Sequence, residues 1–208
     1  MQPAKPSLAD SSLFNRAMKR FDEEHAQDPT RINIQGHEEP RELIYARWLG
    51  SWIEKLWPDA PEPLRLAGGC QHICRWKIPR ENYPATRVGY LKWREDLKKM
   101  HAEIAAKILA DVGYPAEVVE AVKRLNLKAD FPKTRESRVL EDALCLVFVE
   151  HQMTDLAAKT DEPTILQAIR KSWKKMSAEG QTAALKLELP SAEKSLIAKA
   201  LAPTAPVG

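Results

Sequence analysis

LAGGCQHICRWKIPR, residues 66–80, starts as apolar as the inside of a core helix. It then packs two cysteines, a histidine, a tryptophan and two arginines into eleven residues. Joined to the preceding APEPLR, the run from residue 60 to 76 predicts a short, nearly continuous apolar helix, and a helix of that kind is central and buried on most sides. Cys70 and Cys74 stand four apart on one helical face, and no second pair follows to complete a zinc site. They read as small buried hydrophobes, as does Cys145 within ALCLVFV. His72 is different, because an uncommitted imidazole is costly in apolar surroundings. Two readings stand: a core histidine bonded to a neighbour, or a ligand.

Outward from this stretch the chain reads as helix after helix. Leu13, Phe14, Ala17, Met18 and Phe21 recur at helical spacing. DPTRINIQGHEEP is a loop, and EPRELIYARWLGSWIEKLW is a long helix with acids and Pro40 in its first turn and a stripe of Leu43, Ile44, Trp48, Leu49, Trp52, Ile53 and Leu56. KIPRENYPATR is a Pro-punctuated loop before a strong helix that Gly113 ends. RVLEDALCLVFV belongs to a long central helix, and shorter helices complete the chain. The expected fold class is all-α, a single globular multi-helix domain over residues 1–208. Its ordered helical core covers 7–201, with Pro/Ala-rich ends at 1–6 and 202–208.

Charged residues make up 29% and hydrophobic ones 44%, the balance of a soluble globular chain. No apolar run approaches the ~20 residues needed to span a bilayer, so no membrane partner is expected. The opening MQPAKPSLADSS lacks the apolar stretch of an export signal. With three cysteines, an odd number, this predicts reduced thiols and a cytoplasmic location. A net charge of +3 is too small to announce a nucleic-acid protein. P-loop, Rossmann, HExxH and CxxC patterns are absent.

Several residues could carry chemistry. His101 follows a polar run, but Ile104 and Ala105 belong to the apolar stripe, so it faces inward. Glu141 and Asp142 interrupt an apolar helix; one of them lies near the buried face and needs a partner there. Two inward histidines and an inward acid on three central helices could meet, and that donor set suits Zn, Mn or Fe. Glu42 is a fourth candidate, set against its reading as a solvated acid that complements the helix dipole. His37 is a loop residue of open standing, and His25 and His151 read as surface residues at helix ends. Directly after His72, Arg75, Arg80, Arg87 and Arg94 interleave with Trp76, Tyr83, Tyr90 and Trp93. Such a segment could clamp an anion with Arg forks or stack nucleotide bases. The competing reading has Trp76 and Trp93 in the core and the arginines paired with Glu81, Glu95 and Asp96.

The order LRLAGGCQHI, HAEIAAKILADVGYP, LEDALCLVF resembles the HD-domain superfamily, whose helices gather His and Asp side chains around one or two metal ions. Most of its members are phosphohydrolases and a minority are di-iron oxygenases. Against the usual pattern, Gln71 stands at the His and His72 at the Asp of the doublet, and the early His falls near Glu42 to Tyr45. The resemblance therefore implies Glu42, His72, His101 and Asp142 as metal ligands. Gln71 would hydrogen-bond water or substrate, with Glu141 beside the distal acid. QHICRWKIPRENYPATRVGYLKWREDLKKMHA, LEDALCLVF and RKSWKKMSAEGQTAAL look like the family known as domain of unknown function 4202, and this resemblance covers nearly the whole chain.

The leading expectation is an HD-like, metal-dependent hydrolase. It would act on a phosphorylated or otherwise anionic small molecule or nucleotide, with Zn, Mn or Fe lowering the pKa of a bound water. Arg75, Arg80, Arg87, Tyr90 and Arg94 would hold the substrate. The alternatives are a nucleotide- or RNA-binding module, an inactive HD-like scaffold, and an iron-dependent oxygenase. Nucleic acid is the less favoured partner.

Overall fold

The computed structural model describes residues 8–202, with side chains described from residue 13 onward. Of the ends expected at 1–6 and 202–208, all but Ala202 lie outside the described residues. The fold is all-α, with ten α-helices and two short strands among the described residues. No described helix is long and apolar enough to cross a membrane. Backbone proximity groups the chain into two compact units, Met1–Ser137 and Arg138–Gly208.

In the first unit, α1 (Leu8–His25) leads into a hairpin, β1 (Arg31–Ile34) and β2 (His37–Pro40). The sequence reading expected a loop here. Gln35 and Gly36, both at positive φ (52° and 91°), form the tight turn that two-residue hairpins favour, and Asn33 Oδ1 accepts from the Gly36 amide. The hairpin takes Glu38 and Glu39 as strand residues, so α2 (Arg41–Leu56) starts later than expected. Asp28 joins these pieces. One carboxylate oxygen accepts from Thr30 N and the other from Glu42 N, which meets one of the orphan amides of the α2 N-terminus. From the expected stripe of α2, Leu43, Ile44, Leu49, Trp52 and Ile53 are buried.

α3 (Glu62–Cys70) is central as expected, packed against α1, α2 and α5 (Ala116–Leu127). It is shorter than expected, because the helix stops at Cys70 and Gln71 turns extended. Gly68 and Gly69 explain both features. A Cβ on Gly68 would stand 2.5 Å from Ile53 Cδ1, and one on Gly69 would stand 2.6 Å from Met18 Cε, so glycine is what lets α1 and α2 approach. Two successive glycines also weaken the helix at its end, by about 1 kcal/mol each relative to alanine. Leu64 and Leu66 are fully buried, each worth about 1.5–3 kcal/mol of transfer free energy. Short 3-10 turns at Arg75–Lys77 and Arg80–Asn82 lead to α4 (Arg87–Val112). Thr86 caps α4 by accepting from Gly89 N, Gly113 ends it at φ 103°, and it packs along α5.

The second unit comprises most of α6 (Arg135–Val147), a π-helical segment at Phe148–Gln152, α7 (Met153–Lys159), α8 (Glu162–Lys175), α9 (Ala178–Leu185) and α10 (Ser191–Leu201). The long helix of the sequence reading is thus continuous but locally widened. α10 packs on α8, where Arg170 Nε donates to Ala200 O and Lys199 pairs with Glu162.

Candidate functional site

The helix that ends early defines the site. Beyond Cys70 the chain makes a tight turn, Gln71–Cys74, in which His72 (φ 62°) and Cys74 (φ 55°) both adopt the left-handed conformation. Each costs about 1 kcal/mol or more in a residue with a Cβ, so the surroundings must hold the turn. Three side chains do so from other elements. His25 Nε2 donates to Gly69 O at 3.0 Å, meeting one of the last carbonyls of α3. His101 Nδ1 donates to Ile73 O at 2.6 Å. Asn126 Nδ2 donates to Cys70 Sγ at 3.2 Å. His25 is therefore fully buried, in correction of its reading as a surface residue. A histidine at a helix end looks exposed in sequence unless the carbonyl it serves is known. His151 is half-buried beside Glu150, and His37 is exposed on β2.

The hydrogen bond to Ile73 fixes the His101 tautomer. With its proton on Nδ1, the ring presents a lone pair at Nε2, and that atom is buried without a hydrogen-bond partner. The same holds for Glu42 Oε2, Gln71 Oε1 and Asn126 Oδ1. Arg41 holds the other oxygen of Glu42 at 3.0 Å. His72 Nδ1 stands 3.8 Å from Glu42 Oε2, and the His72 and His101 rings lie 5.9 Å apart. Glu42 is 2% exposed, which overrides its reading as a solvated acid. Glu42, His72 and His101, expected together from the sequence, are thus neighbours in the first unit.

A small cavity of about 30 Å³ opens beside them, lined by Gln71, His72, Arg75, Arg94, Leu97, Lys98, His101 and Lys128. It has room for about two water-sized groups. Its electrostatics are one-sided. Burial pushes the His101 pKa down to about 4, with Arg75 and Arg94 adding to the effect of desolvation. His72 is driven well below its ordinary value by burial, then by Arg75, His101, Lys128 and Arg94. Both rings are neutral at physiological pH. Burial raises the Glu42 pKa against the pull of Arg41 and Arg75. Desolvation lowers that of Arg75, with Glu42 opposing.

The aromatic–basic loop divides. Arg75 lies over the Trp93 ring at 4.9 Å and lines the cavity; among the described residues its guanidinium has no hydrogen-bonded acceptor. Arg94 also lines the cavity and reaches Tyr90 Oη at 3.4 Å. Arg80 is committed to the carbonyls of Tyr83 and Pro84. Arg87 and Tyr90 are exposed on the first turn of α4 and do not line the cavity. Trp93 is core, with Nε1 donating to Ile78 O, whereas Trp76 is half-buried. The acids expected to pair with the arginines go elsewhere: Glu95 to Lys98, and Asp96 to Tyr83 Oη and Lys92. Sequence reasoning missed Lys98 and Lys128. Lys98 could have been found, four residues after Arg94 and three before His101 on one helical face. Lys128, the left-handed C-cap of α5, carries no such signal.

Glu141 and Asp142 belong to the second unit. Both are buried, as an interruption of an apolar helix implied for one of them. Asp142 accepts from Ser177 N at 2.7 Å and Ser177 Oγ at 2.6 Å, and Glu141 pairs with Lys175. Burial raises the Asp142 pKa while the Ser177 bonds oppose it. Among the described residues, no three His, Cys, Asp or Glu side chains stand close enough together to hold a metal ion. The cysteines are free and buried, in keeping with their reading as packing groups.

Comparison with curated proteins and with solved structures gives no match. The family model described as Domain of unknown function (DUF4202) matches residues 15–197, a span that holds the hairpin, the 71–74 turn, the cavity and α6 to α9. The chain belongs to the DUF4202 family.

Proposed function

We propose that the cavity beside the 71–74 turn binds the anionic group of a phosphorylated small molecule or nucleotide, and that the chain is an HD-like hydrolase acting on it. One observation carries this reading. Arg75 holds a half-buried guanidinium over Trp93 and beside Arg94 and Lys128, with no hydrogen-bonded acceptor among the described residues. A desolvated, unsatisfied cation is costly, and a cavity facing it that is lined by three further cations suits an incoming phosphoryl or carboxylate group. The histidines serve as neutral groups there, with His101 Nε2 offering a lone pair to a protonated phosphate oxygen or a water.

A divalent ion fits the donors in kind. Glu42 Oε2 and His101 Nε2 are buried without partners, and His72 stands near both. These three residues would hold it only by drawing closer together than they stand here, and Ser177 occupies both oxygens of Asp142. A Zn, Mn or Fe ion so held would supply a water acidic enough to ionise near neutrality. Arg75, Arg94, Lys98 and Lys128 would hold and orient the anion and offset negative charge as it develops.

The test is twofold. Calorimetry with inorganic phosphate and adenosine 5′-monophosphate should show binding that Arg75→Met weakens at least about tenfold. Protein purified without a histidine tag or chelator should carry near-stoichiometric Zn, Mn or Fe, reduced in His72→Ala, and should release phosphate from a panel of phosphomonoesters. No anion binding would refute the site. A folded, metal-free protein that binds anions but releases no phosphate even with added metal would refute the hydrolase and leave a binding module.

A further inference from the structure

The cavity is too small for a whole nucleotide, so the rest of any ligand lies outside it, and α4 shows where. Arg94, Lys98 and His101 line the cavity. Counting back at the same alternating spacing of three and four residues, Leu91 and Arg87 continue their stripe toward the N-terminus of α4. Tyr90 flanks the stripe and is tied to it by the bond from Arg94 to its hydroxyl. The outer half of the stripe is open to solvent and contains no acid: Leu91 is 55% exposed and Tyr90 43%. The Arg87 side chain is exposed and makes no hydrogen bond or ion pair among the described residues. The acids nearest in sequence are engaged, Glu95 by Lys98 and Asp96 by Tyr83 and Lys92. The order along the helix is therefore cation, apolar and aromatic ledge, cation, cation, cavity. Arg87 and Arg94 are seven residues apart, about 10 Å along the axis, a gap that two guanidinium arms can close around one nucleoside.

Resting on the anion-site reading above, we infer that the ligand carries two anionic groups flanking an aromatic middle, in the manner of a nucleoside bisphosphate. One phosphate directs two of its oxygens into the cavity, against Arg75 and Arg94. The base lies on Tyr90 and Leu91, and the second phosphate meets Arg87. A surface tyrosine offers a flat face to any base. An exposed arginine at the far end of the ledge has a use when a second anion arrives there, which also accounts for its lying outside the cavity.

The experiment compares inorganic phosphate, adenosine 5′-monophosphate and adenosine 3′,5′-bisphosphate by calorimetry against the wild type, Arg87→Ala, Tyr90→Ala and Arg75→Met. Thermal melts confirm that each variant folds. The bisphosphate should bind the wild type about tenfold more tightly than the monophosphate, the worth of one charge-assisted contact. Arg87→Ala should bring that ratio close to one. Tyr90→Ala should weaken both nucleotides while moving inorganic phosphate far less. Equal affinity for the two nucleotides, or a ratio that Arg87→Ala leaves intact, overturns the inference while the anion site stands. If inorganic phosphate and the monophosphate fail to bind, or bind with no sensitivity to Arg75→Met, both fall together.

Discussion

Replacing Arg75 by methionine keeps most of the side chain's apolar bulk and removes only the charge. The guanidinium lies over Trp93 at 4.9 Å, beside a cavity it shares with Arg94, Lys98 and Lys128. In the free protein, losing the cation–π contact costs about 0.5–1 kcal/mol. Against that stand the relief of a desolvated charge and of its repulsion with Arg94 and Arg41, the causes that lower its pKa. The nearby Glu42 loses one counter-charge but keeps Arg41 at 3.0 Å. These effects nearly cancel, so stability should change by no more than about 1 kcal/mol, a shift of about 2–4 °C in Tm for a chain of this size. Binding has no such compensation. One charge-assisted hydrogen bond to an anion contributes about 1.5–3 kcal/mol, which is about 10- to 150-fold in Kd. Arg75→Met should therefore melt close to the wild type and bind inorganic phosphate at least about tenfold more weakly. The paired assays are differential scanning fluorimetry and calorimetry. A drop of 10 °C or so in Tm with unchanged phosphate affinity would refute the reasoning, since Arg75 would then be a packing residue and its unmet donors incidental.

Other consequences are open to direct measurement. His101 has its pKa depressed to about 4 in the fold, so the folded state binds fewer protons than the unfolded one between there and the ordinary value of about 6.5. Its contribution is fully present above about pH 6.5 and is lost as pH falls toward 4, by about 3 kcal/mol. Burial of Glu42 acts in the opposite sense. Urea melts of metal-free protein from pH 7.5 to 4 should show the decline, and His101→Asn should flatten it; an unchanged slope would place the titration elsewhere. Gly89→Ala would drive a Cβ to 2.3 Å from Pro84 O, a backbone atom with no cheap way to move. A loss of about 1–3 kcal/mol is expected by chemical denaturation, and an unperturbed midpoint would mean that the 83–86 loop yields. Asp142→Asn weakens two short bonds to Ser177 and should cost about 1–2 kcal/mol without altering phosphate affinity. A change in affinity at constant stability would return Asp142 to the binding chemistry.

The helical elements were legible because their cause is local. Apolar spacing in α2, α4 and α6 and the stop at Gly113 depend on neighbours within a turn or two. The hairpin at 31–40 was missed because each of its strands has only four residues, too few for alternation to be visible. The turn Gln35–Gly36, with Asn33 before it, was the available signal. The early end of α3 was missed for a different reason. The apolar run continues past Cys70, and what ends the helix is a pair of glycines needed for close approach to Ile53 and Met18, together with His25 on the Gly69 carbonyl and with Asn126 and His101, which hold the following turn from distant positions.

By itself, the sequence determined that the chain is helical, that His72 and His101 face inward, and that a cationic and aromatic loop follows the first of them. Only the tertiary structure decided what those residues became. It drew Glu42 out of solvent, fixed the His101 lone pair through Ile73 O, set Arg75 and Arg94 in the cavity wall while leaving Arg80, Arg87 and Tyr90 outside it, and brought Lys128 to the cavity. The reason is physical. Helical periodicity is set by contacts a few residues apart and is written along the chain. The charge state and partner of a buried group depend on which distant backbone carbonyls and cations the packing carries to it, and no local spacing encodes that.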